Sequence, residues 1–185
     1  MRGETLFNDG SSSFDDFLIN AYEFLKADYP KFYKMDNLSK LGFLAAEALV
    51  HDRNLKQYSP ETVAVVLSNS AASLDTDLRF LQSTKNVASP ALFVYTLPNI
   101  VVGEICIRHK ITGENTFFVT PSFDPEFLCF YAKSLFERNH VQACIAGWVD
   151  VLDEHHDVFL YLIEKESGSE GMEHNSDALK KLYAR

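Results

Sequence analysis

The chain has 185 residues, 46% hydrophobic and 13% aromatic, which fits one domain with a real core and excludes an intrinsically disordered chain. Its formal net charge of −9 excludes the basic face that nucleic acid and anionic membranes require, so neither is an expected partner. Cys106, Cys129 and Cys144 lie in apolar stretches with no CxxC and no metal-type spacing, and read as reduced core thiols of a cytoplasmic protein without a metal.

The opening "MRGETLFNDGSSS" is polar, and no apolar run is long enough to span a bilayer, so neither a signal peptide nor a membrane helix is expected. In "SSSFDDFLINAYEFLKADYP", Ser13 with Asp16 is a helix-capping signal. Phe14, Phe17, Leu18, Ala21, Phe24 and Leu25 then keep helical spacing until Pro30. "KMDNLSKLGFLAAEALVHD" reads as a second helix, with Leu38, Leu41, Ala45, Ala48 and Leu49 as its buried stripe. "TVAVVLSNS" is β-branched and almost uninterrupted, as a strand buried on both faces reads. "SLDTDLRFLQ" is a short helix, and "LPNIVVGEICIRHK" a more apolar one. The latter ends in Arg108, His109 and Lys110, where cations suit a helix C-terminus. Gly103 inside it reads as a close-packing position.

Gly113 makes a turn into the strand "TFFVT". Asp124 is a good N-cap and Pro125 a good first residue for a helix to about Arg138, which Asn139 ends in the left-handed region. "VQACIAGWVDVL" and "DVFLYLIEK" are the last strands. The short link "DEHH" between them permits only an antiparallel hairpin. The expected fold class is therefore a layered α/β sheet, mostly parallel, in a single domain over residues 1–166. A polar tail, 167–185, carries a loose and dispensable terminal helix, "DALKKLYAR".

From Ser89-Pro90 onward the sequence resembles the N-terminal half of β-ketoacyl synthases, which have the thiolase-like fold. The resemblance is carried by Phe93, Leu97-Pro98-Asn99, Gly113-Glu114-Asn115, the TFFVT strand and Ala146-Gly147-Trp148-Val149-Asp150, in that order. Upstream, "KMDNLSKLGFLAAEALV", "TVAVVLSNS" and "SLDTDLRFL" match the family's preceding helix, strand and helix, so the likeness covers roughly residues 34 to 163. It implies a setting in bacterial fatty-acid, polyketide or polyene biosynthesis. It also implies partners: a full-length synthase, an acyl carrier protein, or a second copy of this chain. The strand 116–120 (Thr116, Phe117, Phe118, Val119, Thr120) would be the dimer interface, because in this fold it pairs with its copy across a two-fold axis.

Two departures bear on function. Where the family places a reactive Cys at a helix N-terminus, this chain has Thr120-Pro121-Ser122. The C-terminal half, source of the family's activating histidines, is not in the sequence. Serine has no accessible anion near neutral pH and needs a base within hydrogen-bond reach. Ser122 is thus either a turn residue in an ordinary Ser-x-Asp-Pro helix start or the nucleophile of an acyl transferase or thioesterase. Pro121, Ser122, Phe123, Leu97, Pro98 and Asn99 are the candidate binding residues. His109, in a cationic cluster at a helix C-terminus, reads as a solvated residue rather than a general base. His155 and His156, adjacent in sequence, make a poor chelate. His51, His140 and His174 belong to no constellation, and Cys129 reads as a core thiol rather than a displaced nucleophile. The aromatic first helix and "YPKFYKM" read as core, with an acyl-chain groove as the alternative. No phosphate-cradling glycine loop occurs, and no cofactor is expected. The reading favoured is a synthase-like subunit without condensing activity, with a purely structural interaction protein as a further alternative.

Overall fold

The computed structural model describes residues 5–8, 10, 13–138, 140–165 and 171–184. Asn139, read as a helix end, and the start of the tail at 167–170 lie outside the described residues. Four strands, β1 (Val63–Asn69), β2 (Asn115–Val119), β3 (Ala143–Leu152) and β4 (His155–Glu164), form one sheet in the order β2-β1-β3-β4. β1 runs parallel to β2 and β3, whereas β3 and β4 are antiparallel. The connections explain this pattern. Helices α3 (Leu74–Ser83), α4 (Pro90–Val94) and α5 (Ile100–His109) return the chain from β1 to β2, and α6 (Pro125–Arg138) returns it from β2 to β3. The β3–β4 link is shorter than the sequence suggested. Asp153 takes the left-handed region at φ 55°, so Asp153 and Glu154 suffice for the turn. His155 and His156 then open β4, opposite Leu152 and Val151.

Helices α1 (Phe14–Leu25), α2 (Asn37–Val50) and α5 cover one face of the sheet, packing on Val63, Val65, Leu67, Ile145 and Val149. Leu128 and Leu135 of α6 cover the other, against Ala64, Val66, Cys144 and Ala146. The fold is therefore a three-layer α/β arrangement, mostly parallel with one antiparallel pair. Ser13 caps α1 by accepting from the Asp16 amide at 3.1 Å, and Asp124 caps α6 by accepting from the Phe127 amide at 2.9 Å.

The buried surface of α2 is wider than the expected stripe. Phe43, Leu44 and Ala46 are buried with Leu38 and Leu41, while Ala45, Ala48 and Leu49 are only half-buried. The helix is enclosed because α5 approaches it closely at Gly42, where a Cβ would lie 2.4 Å from Val101 Cγ2. Gly103, read as the close-packing glycine, faces open space instead. The aromatic N-terminal segment is largely core: Phe14, Tyr22, Phe32 and Met35 are buried, and the Tyr22 hydroxyl accepts from the Tyr29 amide at 2.9 Å.

The terminal helix, α7 (Ser176–Tyr183), is docked rather than loose. Leu179 is buried, and the Tyr183 ring packs on Phe123 and Phe159 with centroids 4.5 and 5.7 Å away. Lys180 pairs with Glu126 at 2.9 Å, and the Tyr183 hydroxyl donates to Asp157. The amphipathic "ALKKLY" pattern thus buries its apolar side, which a reading of the segment as a polar tail overlooked.

The cations ending α5 clamp it to α2. Arg108 binds the Glu47 carboxylate through Nε at 3.0 Å and Nη2 at 2.9 Å, and His109 Nε2 lies 3.1 Å from Glu47 Oε1. His109 is therefore a half-buried partner of Glu47, not a solvated residue. Burial opposes the charge on Glu47, but the bonds from His109 and Arg108 outweigh it and carry its pKa from 4.5 to about 2. Because the folded pKa lies below the unfolded one, the contribution is complete above about pH 4.5 and disappears as pH falls toward about 2. Glu47→Gln is expected to lower stability at neutral pH by roughly 2 kcal/mol, allowing for partial solvent screening. In urea titrations the gap between wild type and variant should close across that acidic interval. A gap independent of pH would refute the clamp.

Candidate functional site

The Ser122 turn sits at the C-terminal end of the parallel strands, where ligands of open α/β sheets usually bind. Its position is fixed from β1. The Thr120 amide donates to the Asn69 carbonyl at 2.8 Å, and the Thr120 hydroxyl donates to the Ser122 carbonyl at 3.0 Å. The end of β1 is held in turn by Asp150 of β3. This buried carboxylate accepts from the Ser70 and Ala71 amides at 3.1 and 3.0 Å and from the Ser70 hydroxyl at 2.7 Å. Ser122 is exposed, and among the described residues no side chain is hydrogen-bonded to its hydroxyl. The adjacent cavity of about 370 Å³ is lined by Thr120, Ser122, Asp124, Glu126 and Lys180 together with Pro121, Phe123 and Pro125. Its lining is mixed, with apolar surface from Phe123 and the two prolines beside the polar groups. The Asp124 carboxylate already occupies the α6 N-terminus, so the helix field is compensated before any oxyanion could form there.

Of the other candidate binding residues, Leu97, Pro98 and Asn99 do not line that cavity. They precede α5 beside α3, to which the Ser73 hydroxyl ties the Thr96 carbonyl at 3.0 Å. The strand read as an interface, β2, is at an edge of the sheet and, among the described residues, pairs only with β1. Its faces are covered: Phe117 packs on the α1/α2/α5 side, and the Phe118 ring meets Phe127 and Tyr131 of α6 at 4.8 and 4.9 Å. His156 stacks on Phe14 at 4.0 Å. Among the described residues no group of three His, Cys, Asp or Glu is placed to hold a metal ion. No helix among them is long and apolar enough to cross a membrane.

Two features escaped the sequence reading. Cys129 is half-buried rather than in the core, with Sγ 3.6 Å from His174 Nε2. Nothing in the spacing of two residues so far apart signals that contact. The second is the orientation of α3. Its buried residues are polar: Asp75 accepts from the Asp153 amide at 3.0 Å, and the Thr76 hydroxyl donates to Asp36 at 2.7 Å. Leu74, Leu78 and Leu81, spaced as one helical stripe, are 43%, 48% and 61% exposed. On α4, joined to α3 by a Phe80–Phe93 contact at 5.4 Å, Phe93 and Val94 are also exposed, as is Leu97 just beyond.

No family model matches the chain, and no curated protein matches its sequence. Solved structures do. The ishigamide ketosynthase/chain length factor superposes with a TM-score of 0.60 at 21% identity, over 74% of this chain and 46% of that one. The structure of the ketosynthase ApeO in complex with its chain length factor ApeC, from Xenorhabdus doucetiae, contains a chain matched at TM-score 0.59 and 17% identity, over 85% of this chain and 74% of that one. A chain of the AntDE:AntF complex, a type II polyketide acyl-carrier protein with its ketosynthase, matches at TM-score 0.53 and 13% identity, over 76% and 47%. The fold is thus the thiolase-like fold of these ketosynthase structures. The chain spans about half the length of the first and third neighbours and about three quarters of the second.

Proposed function

We propose that the protein is a synthase-like partner subunit in polyketide, fatty-acid or polyene assembly, pairing with a full-length ketosynthase and lacking condensing activity at its own Ser122 turn. The observation that carries this reading is the outward stripe of α3. A soluble domain seldom turns three leucines and a neighbouring phenylalanine to water unless another surface covers them. Two of the structural neighbours are ketosynthases described together with a chain length factor, which supports a paired state. The free edge of β2, residues 116–120, offers a further surface for a second copy, since self-pairing about a two-fold axis satisfies the open amides of an edge strand. An acyl carrier protein is a further partner consistent with this setting.

The acyl-transferase reading of Ser122 requires a base, and the geometry around its hydroxyl supplies none among the described residues. Ser122→Ala is therefore expected to leave any loss of malonyl or acyl carrier-protein thioester unchanged within about twofold, and Ser122→Cys to create no condensing enzyme. A native rate well above that of the alanine variant would sink this part of the reading.

A further inference from the structure

We propose that Cys129 and His174 form a thiol–imidazole pair that takes up an acyl group from an acyl thioester, with Cys129 Sγ as the acceptor and His174 Nε2 as the general base. The choice of a thioester rests on the biosynthetic setting given above; the pair itself rests on geometry alone. Cys129 lies on α6, and His174 lies on the segment that leads into α7. Their contact at 3.6 Å is within reach of an S–H donating to a ring nitrogen when the imidazole proton is on Nδ1.

The contact opens onto a cavity of about 470 Å³, within the range of small-molecule sites. Phe130, Phe136 and Ile163 give it apolar walls, and Lys133 and Lys165 stand among its lining residues. Glu164 also borders it, but its carboxylate is engaged by the Tyr58 hydroxyl at 2.7 Å. Apolar walls with a cationic rim suit an alkyl chain joined to an anionic group, such as the phosphates of a pantetheine-type thioester. Burial raises the Cys129 pKa and lowers that of His174, so the pair rests as a neutral thiol facing an uncharged imidazole, and the proton must pass to His174 in step with attack rather than before it. The Tyr161 ring lies 5.6 Å from that of His174, which it backs from outside the cavity lining, and among the described residues its buried hydroxyl has no hydrogen-bond partner.

The step balances without any redox partner. His174 takes the Cys129 proton as Sγ attacks the thioester carbonyl carbon. The tetrahedral intermediate expels the donor sulfur, which receives that proton from His174. The products are an acyl-Cys129 thioester and a free donor thiol. This acceptor differs from Ser122 in position and in nucleophile.

The test is intact-mass spectrometry of the full chain incubated with octanoyl-coenzyme A, and in parallel with octanoyl-N-acetylcysteamine, which lacks the phosphates. One octanoyl group, released by hydroxylamine and mapped to the Cys129 peptide, is the expected result, with faster uptake from the phosphate-bearing donor. Cys129→Ala should abolish it and Cys106→Ala should not. His174→Gly should slow it roughly a hundredfold, with free imidazole restoring much of the rate, which a purely structural role would not allow. Melting curves matching wild type would exclude misfolding of the variants. Iodoacetamide labelling of Cys129 without acyl transfer would overturn the thioester assignment, and no reaction with either reagent would overturn the pair. Acyl uptake by a chain that binds no ketosynthase would instead leave the pair standing and remove the partner reading.

Discussion

Gly147→Ala is expected to cost more than about 3 kcal/mol and to leave little folded protein at ambient temperature. Gly147 lies in β3, between β1 and β4, paired with Leu67 on one side and Leu160 on the other. Its φ of +151° is one that residues with a side chain rarely adopt, and a Cβ there would stand 2.0 Å from the Phe159 carbonyl oxygen and 3.0 Å from Leu160 Cα. Both are backbone atoms, so no rotamer change relieves the clash. The β3–β4 ladder must open, and the Asp150 carboxylate, three residues further along the same strand, loses its aim at the end of β1. Gly103→Ala is the matched control. That Cβ meets nothing within 4 Å, so alanine in the middle of α5 should stabilise by about 0.5–1 kcal/mol. Urea denaturation reads both effects. A Gly147→Ala protein within about 1 kcal/mol of wild type would show that the two strands separate easily, contrary to this packing.

What could be read from the sequence was local. The run Thr62–Ser70 announced a strand covered on both faces, and all seven residues of the strand it holds, Val63–Asn69, are buried. Asp124-Pro125 announced the start of α6, and the short link after Leu152 announced the hairpin. Features that depend on distant residues were hidden. Asp150 was legible as part of a Gly-Trp-Val-Asp motif, but its bonds reach back about eighty residues to Ser70 and Ala71. His174 lay in a stretch whose composition resembles a linker, and only the docking of α7 brings it to Cys129. The sequence marked α3 only as a short helix, without the direction of its leucines. Asp75, bound to the Asp153 amide, and Thr76, bound to the buried Asp36, decide that the leucines turn outward. The Ser122 turn shows the same division. The residue types identified a serine in place of a nucleophile, while the absence of a base at its hydroxyl among the described residues needed the coordinates.

Leu78→Asp with Leu81→Asp is expected to abolish assembly while leaving the isolated chain as stable as wild type. Both leucines are largely exposed already, so removing them from α3 empties no core and should change the stability of the monomer by less than about 0.5 kcal/mol each. The polar bonds of Asp75 and Thr76 that orient the helix are untouched. In an assembled state the balance differs. Each leucine withdrawn from an apolar contact forfeits about 2 kcal/mol, and each aspartate placed there adds an unpaired charge. Together the two substitutions should weaken association by at least about a thousandfold. The measurement is sedimentation at micromolar concentration, with the chain alone and with a ketosynthase co-expressed from the same gene neighbourhood. A mixed complex lost in the variant supports the partner reading, and a homodimer lost in the variant assigns the stripe to a second copy. Assembly that survives both charges would exclude the α3 face and leave the open edge of β2 as the contact. Phe118 cannot serve as the probe for that edge, because its ring packs under α6 against Phe127 and Tyr131. Val119, 56% exposed at the end of the same strand, can carry an arginine without disturbing that packing.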